Sequence, residues 1–94
     1  MVIMVLERVP ASLRGEMTRW MLEPKTGVFV GTLSALVRDK LWDKVCQNAR
    51  GGAGILVWST DNEQGFAFRL HGDTRRVVVD FEGLTLVRVP AVQS

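Results

Sequence analysis

Apolar residues in this chain fall into runs and stripes with readable periods. Val2, Ile3, Met4, Val5 and Leu6 are consecutive and end at the charged pair Glu7-Arg8, the pattern of a strand covered on both faces in the middle of a sheet. From Pro10 the apolar positions recur at Leu13, Met17, Trp20 and Met21. That spacing predicts one helix over Pro10 to Leu22, with proline well placed in its first turn. Pro24 is expected to stop the helix, Lys25, Thr26 and Gly27 to turn the chain, and Val28 to Val30 to form a short strand. Thr32 is positioned to cap the next helix, whose stripe is Leu33, Leu36, Val37, Leu41, Val45 and Ala49, with Trp42 on its margin. Gly51 and Gly52 end that helix, and Arg50 in its last turn complements the helix dipole.

Ala53 to Thr60, holding Ile55, Leu56, Val57 and Trp58, reads as a second buried strand. Asp61 to Gly65 is a turn. After it Phe66, Phe68 and Leu70 alternate with Ala67, Arg69 and His71, the period of a half-exposed strand. His71 to Thr74 breaks that strand, Arg75 and Arg76 follow, and two more apolar runs, Val77 to Phe81 and Leu84 to Val89, flank Glu82-Gly83 as a terminal hairpin. Such an added edge usually has a partner. No internal repeat, low-complexity segment or linker interrupts the pattern.

Composition narrows the class without naming a function. A chain of 94 residues is one small domain, short enough that a second copy is expected to complete its core. Hydrophobic residues at 47% and charged residues at 23% exclude a disordered chain. A net charge of +2 permits an anionic partner without requiring one. One cysteine, Cys46, cannot form an intrachain disulfide, and the run Met1 to Leu6 lacks the basic leader and the length of a signal peptide or membrane helix. A soluble cytoplasmic protein with no membrane partner is expected.

Gly15, inside the first predicted helix, costs about 1 kcal/mol relative to alanine, so it marks either a close approach to the backbone or tight helix packing. Trp20, Trp42 and Trp58 are read as core residues rather than base-stacking platforms. Cys46 packs, and His71 stands alone without a cluster for metal binding or nucleophile activation. Gly51-Gly52-Ala53-Gly54 precedes a strand, whereas phosphate-cradling glycine loops precede a helix, so it is a helix stop. Asp61 with Glu63, and Asp80 with Glu82, fall at turns and are read as solvated, with an arginine across an interface as an alternative partner for Asp80.

The order of elements resembles a ferredoxin-like α+β domain with a C-terminal hairpin (βαβ αββ order). Particular residues carry a closer likeness: Glu7, Val9-Pro10, Leu13-Arg14-Gly15, Trp20-Met21-Leu22-Glu23, Gly27-Val28-Phe29-Val30-Gly31, Trp42, Gly65-Phe66 with Phe68, Arg75-Arg76, Val79-Asp80, and Gly83-Leu84 with Leu86-Val87. Through them the chain resembles the second core CRISPR-associated adaptation protein (Cas two), type I-E subfamily, over nearly its whole length. The resemblance implies a homodimer that sits between two CRISPR integrase dimers and helps capture duplex DNA for insertion as a new spacer. It divides the single domain into a ferredoxin-like core at 1–76 and C-terminal strands at 77–94 for dimer or integrase contact.

The resemblance also assigns candidate residues. Arg14, Arg75 and Arg76 match basic positions used on the duplex backbone, with Gly15 beside them. Guanidinium forks suit phosphate, and the open N-terminus of the first helix adds unpaired N–H groups. On the residues alone a solvated basic surface accounts for the same arginines. Arg19 and Lys25 are secondary candidates, and Ser12 stands where relatives can carry a further arginine.

Glu7 matches the position where nuclease members carry an acid, usually aspartate, which paired across a dimer axis would hold Mg2+ for an endonuclease acting on RNA or DNA. Here the acid is glutamate and Arg8 follows it, so a solvated or salt-bridged carboxylate is preferred to a catalytic metal ligand. The leading expectation is a non-catalytic scaffold that needs no cofactor. The competing readings are the magnesium-dependent endonuclease and an interaction module without nucleic acid.

Overall fold

The computed structural model describes residues 1–74. Seven elements follow one another: β1 (Val2–Glu7), α1 (Ala11–Thr18), β2 (Leu22–Lys25), β3 (Val28–Gly31), α2 (Ala35–Asn48), β4 (Ala53–Ser59) and β5 (Phe66–His71). The strands form one antiparallel sheet in the order β2-β3-β1-β4-β5. This α+β arrangement is compatible with a ferredoxin-like domain whose sheet is extended by β5. The predicted terminal hairpin, Arg75, Arg76, Asp80 and Glu82 lie outside the described residues.

β1 is central, as its unbroken apolar run predicts. Val5 faces Val28 on one side and Ile55 on the other, and the two faces of the strand enter different apolar layers. Val2, Met4 and Leu6 join Phe29 and Leu56 under the helices, where Leu13 and Met17 of α1 and Leu41, Trp42 and Val45 of α2 complete the cluster. Met4, Met17, Phe29, Val45 and Leu56 are sealed from solvent, each contributing roughly 1.5–3 kcal/mol relative to exposure. The other layer joins Val5, Val28, Ala53 and Ile55 to partly buried Ile3, Val30, Val57, Phe66 and Phe68. Among the described residues it is built from strands alone.

Several predicted features are corrected. Helix one ends at Thr18, with Arg19 as its cap, and Leu22–Lys25 is an edge strand, so the order is βαββαββ and two strands separate the helices. Pro24 therefore lies within a strand rather than stopping a helix. An edge strand tolerates proline because its N–H is not needed on the open side. Trp20 follows the helix into the turn and is 51% exposed, so it is not a core residue. Met21 is buried although it lies past the helix end, which is why the apolar spacing outran the helix.

α2 starts later than Thr32 suggests: Ser34 is its N-cap, its Oγ accepting the Val37 N–H at 3.2 Å. The buried stripe is turned by one position from the predicted one. Trp42 is buried and Leu36 is exposed, because Leu41, Trp42, Val45 and Ala49 share the face that meets the sheet. Arg50 lies beyond the helix with φ 49°, and Gly51 follows at φ 86°. The glycine run is a helix stop, as expected, and Gly52 is packed so closely that a Cβ there would lie 2.6 Å from the Arg8 carbonyl oxygen.

Candidate nucleic-acid interface

The candidate residues of the first half gather at one end of the molecule, where β1 hands over to α1. Pro10 is the N-cap of α1, in extended conformation and without a side-chain cap. Its carbonyl accepts the N–H groups of Leu13 at 3.1 Å and Arg14 at 3.2 Å. The N–H groups of Ala11 and Ser12, both exposed residues, are the orphan donors that any helix start leaves. No acidic side chain sits in this first turn to offset its positive end.

Gly15 is exposed on α1, and a Cβ built there would meet nothing within 4 Å. Among the described residues, tight helix packing, one of its two expected explanations, is thereby excluded. The glycine leaves an open, side-chain-free patch in a helix interior.

Arg14, next to it, is half-buried and already engaged. Its Nη2 donates to Glu23 Oε2 at 3.0 Å, and the Gly27 N–H donates to the same oxygen at 2.8 Å. Glu23 thus ties α1 to the β2–β3 turn. The Gly27 N–H, and after it the Arg14 guanidinium, hold the Glu23 carboxyl below the ordinary glutamate range. Gly27 is also fixed from behind: its carbonyl accepts the Leu6 N–H at 2.7 Å, φ is 83°, and an added Cβ would meet the Leu6 carbonyl oxygen at 2.5 Å. Sequence reasoning missed Glu23 as the partner of Arg14, because the acid is nine residues away across a turn that read as helix.

A family model described as CRISPR-associated protein (Cas_Cas2CT1978) matches residues 1–86. The chain belongs to this CRISPR-associated, Cas two type family. Glu7, Arg14, Gly15, Arg75 and Arg76 all fall within the matched span. The structure brings Glu7, Arg14 and Gly15 to the β1–α1 end, while the two later arginines lie outside the described residues.

Glu7 is the last residue of β1, opposite Ala53. Its Oε2 is sealed from solvent, and the residue is engaged rather than isolated. The residue as a whole is partly exposed. Arg8 then follows with φ 58°. Among the described residues, no three His, Cys, Asp or Glu side chains come together as a metal-binding group.

The other basic residues of this family member divide sharply. Arg19 and Lys44 both pair with Glu16, at 3.7 and 3.3 Å. Arg38 and Arg69 converge on Asp39, at 2.9 and 3.2 Å, and both stack over the Trp58 ring, at 4.2 and 5.1 Å from its centroid. Arg38 chiefly, with help from Arg69, lowers the Asp39 carboxyl. This cluster joins α2 to β4 and β5, and sequence reasoning missed it because its members come from three elements. Cys46 packs against the helix-side core, and burial raises its thiol, so it is a structural cysteine. Among the described residues, no helix is long and apolar enough to cross a membrane.

Proposed function

We propose that this protein is a non-catalytic, dimeric scaffold of the CRISPR adaptation complex. It bridges integrase dimers and holds duplex protospacer DNA through phosphate contacts. Membership of the CRISPR-associated family supports the setting. The observation that carries DNA binding is Gly15: a helix-interior glycine that no neighbour crowds among the described residues, beside the uncapped start of α1 and the half-exposed Arg14. Such a patch lets a bulky anionic backbone approach the helix closely, where N–H groups and guanidinium receive phosphate. The dimer is the part of this reading that family resemblance alone supports, since Val5, Val28, Ala53 and Ile55 are already buried within the single chain.

Contacts of this kind position a duplex without reading its sequence. Binding is therefore sequence-tolerant and weakens with salt, the logarithm of affinity falling by about 0.9 per phosphate contacted for each decade of salt. A filter or anisotropy titration of the wild type against the Arg75→Ala, Arg76→Ala variant, with spacer acquisition in parallel, tests it. The variant is expected to bind more weakly, with a shallower salt slope, and to lose acquisition. Affinity that is flat from low to high salt, or a variant that binds and supports acquisition normally, overturns the reading. Acquisition lost by Glu7→Ala together with a magnesium-dependent cleavage activity would establish the endonuclease instead.

A further inference from the structure

Two arginines stand apart from all the ion pairs described above. Arg8 and Arg50 are exposed, and neither enters an ion pair among the described residues. Both hold left-handed backbone, at φ 58° and 49°, a conformation that glycine or asparagine adopts far more readily than arginine. Arg50 occupies the residue after the α2 cap, where glycine is the usual choice. The chain supplies glycine next door at Gly51 and Gly52 but keeps arginine here. A basic residue in the last helical turn would also complement the dipole of α2, yet that turn carries none.

The two arginines share one corner. Gly52 lies so near the Arg8 carbonyl that only hydrogen fits between them, which brings the loop after β1 against the loop after α2. Alongside runs a groove of about 330 Å³ between the helices, lined by Pro10, Ser12, Glu16, Lys44, Asn48 and Arg50 among others. Glu16, the one carboxylate among its described lining residues, is offset by Lys44 and Arg19. The uncapped N–H groups of α1 begin at the same Pro10.

We propose that Arg8 and Arg50 form a second phosphate-contacting pair, extending the DNA track from α1 across the groove to the end of α2. The proposal rests on the duplex-binding reading and adds two residues to it. The backbone geometry supplies an unusually clean test, because Arg8→Gly, Arg50→Gly removes both charges while easing both backbones. The Arg8→Asn, Arg50→Asn pair is a second variant, since asparagine also tolerates this conformation.

Thermal unfolding of either variant is expected at or above the wild-type temperature. Duplex binding is expected to weaken alike across sequences, and the salt slope to shrink by about 0.9 for each phosphate no longer neutralised. Wild-type binding with an unchanged slope in both variants overturns this pair and leaves the proposed function standing. A wild type that shows no salt-dependent duplex binding overturns both.

Discussion

The turn at Gly27 and the corner at Arg8 and Arg50 both join β1 to its surroundings, but they use polar groups in opposite ways. At Gly27 the Leu6 N–H donates to the Gly27 carbonyl, and the Gly27 N–H and Arg14 Nη2 donate to the Glu23 carboxylate, and the positive φ of glycine is required by a carbonyl 2.5 Å from where a side chain would start. The fold itself explains those residues. At the corner, two arginines occupy backbone suited to glycine without an ion pair among the described residues, and Gly15 of α1 is a glycine that no neighbour among them demands. Residues that the fold does not need, or that it tolerates at a cost, are the ones to examine for a partner.

The contrast breaks most visibly at Gly27. Gly27→Ala introduces both a disfavoured φ and a backbone clash, so a loss on the order of 3 kcal/mol is expected in denaturant unfolding. A loss below about 1 kcal/mol would mean that the turn is not clamped by the Leu6 backbone.

Next comes Glu23→Gln, which keeps the shape but removes the charge that receives Arg14 and Gly27. It is expected to cost about 1 kcal/mol at neutral pH. Because the folded carboxyl titrates below its ordinary value near 4.5, its contribution is fully present above that pH and fades as pH falls through the folded value. The stability difference between wild type and variant should therefore close in acid. A difference constant from neutral pH to strongly acid conditions would remove Glu23 as the source.

The most informative effect, of similar size and opposite sign, is at Gly15. Gly15→Ala should stabilise the protein by about 1 kcal/mol, a rise of roughly 4–8 °C for a domain of this size, while weakening duplex binding. Destabilisation would show a packing role that the open space around it contradicts. Stabilisation without any change in binding would leave the glycine unexplained and weaken the phosphate-facing patch.

Legibility in the sequence followed the length of each pattern. The five consecutive apolar residues of β1 and the strand from Ala53 were readable because buried central strands need no partner information to declare themselves. β2 was missed because four residues, one of them proline, are too short to show a period, and Met21 extended the apparent helix past Thr18. The stripe of α2 was placed nearly right, yet its sheet-facing side passes through Trp42 and leaves Leu36 in solvent. One residue is about 100° of helix, and only the packed sheet selects between neighbouring faces. Of the candidate site, Arg14 and Gly15 were legible through a resemblance spread along the chain, whereas Glu23 was not.

By itself the sequence determined the alternation of strands and helices, the central place of β1, the glycine stop after α2 and, through motifs spread along the chain, the family. These depend on local periodicity and on residue types with few permitted backbones. Tertiary structure alone decided which arginines meet a carboxylate from another element and which do not among the described residues. Arg14 and Arg69 look like Arg8 and Arg50 in sequence. The difference lies in carboxylates brought from other elements, Glu23 to Arg14 and Asp39 to Arg69, because an ion pair needs two groups within a few ångströms and spacing along the chain does not supply that distance.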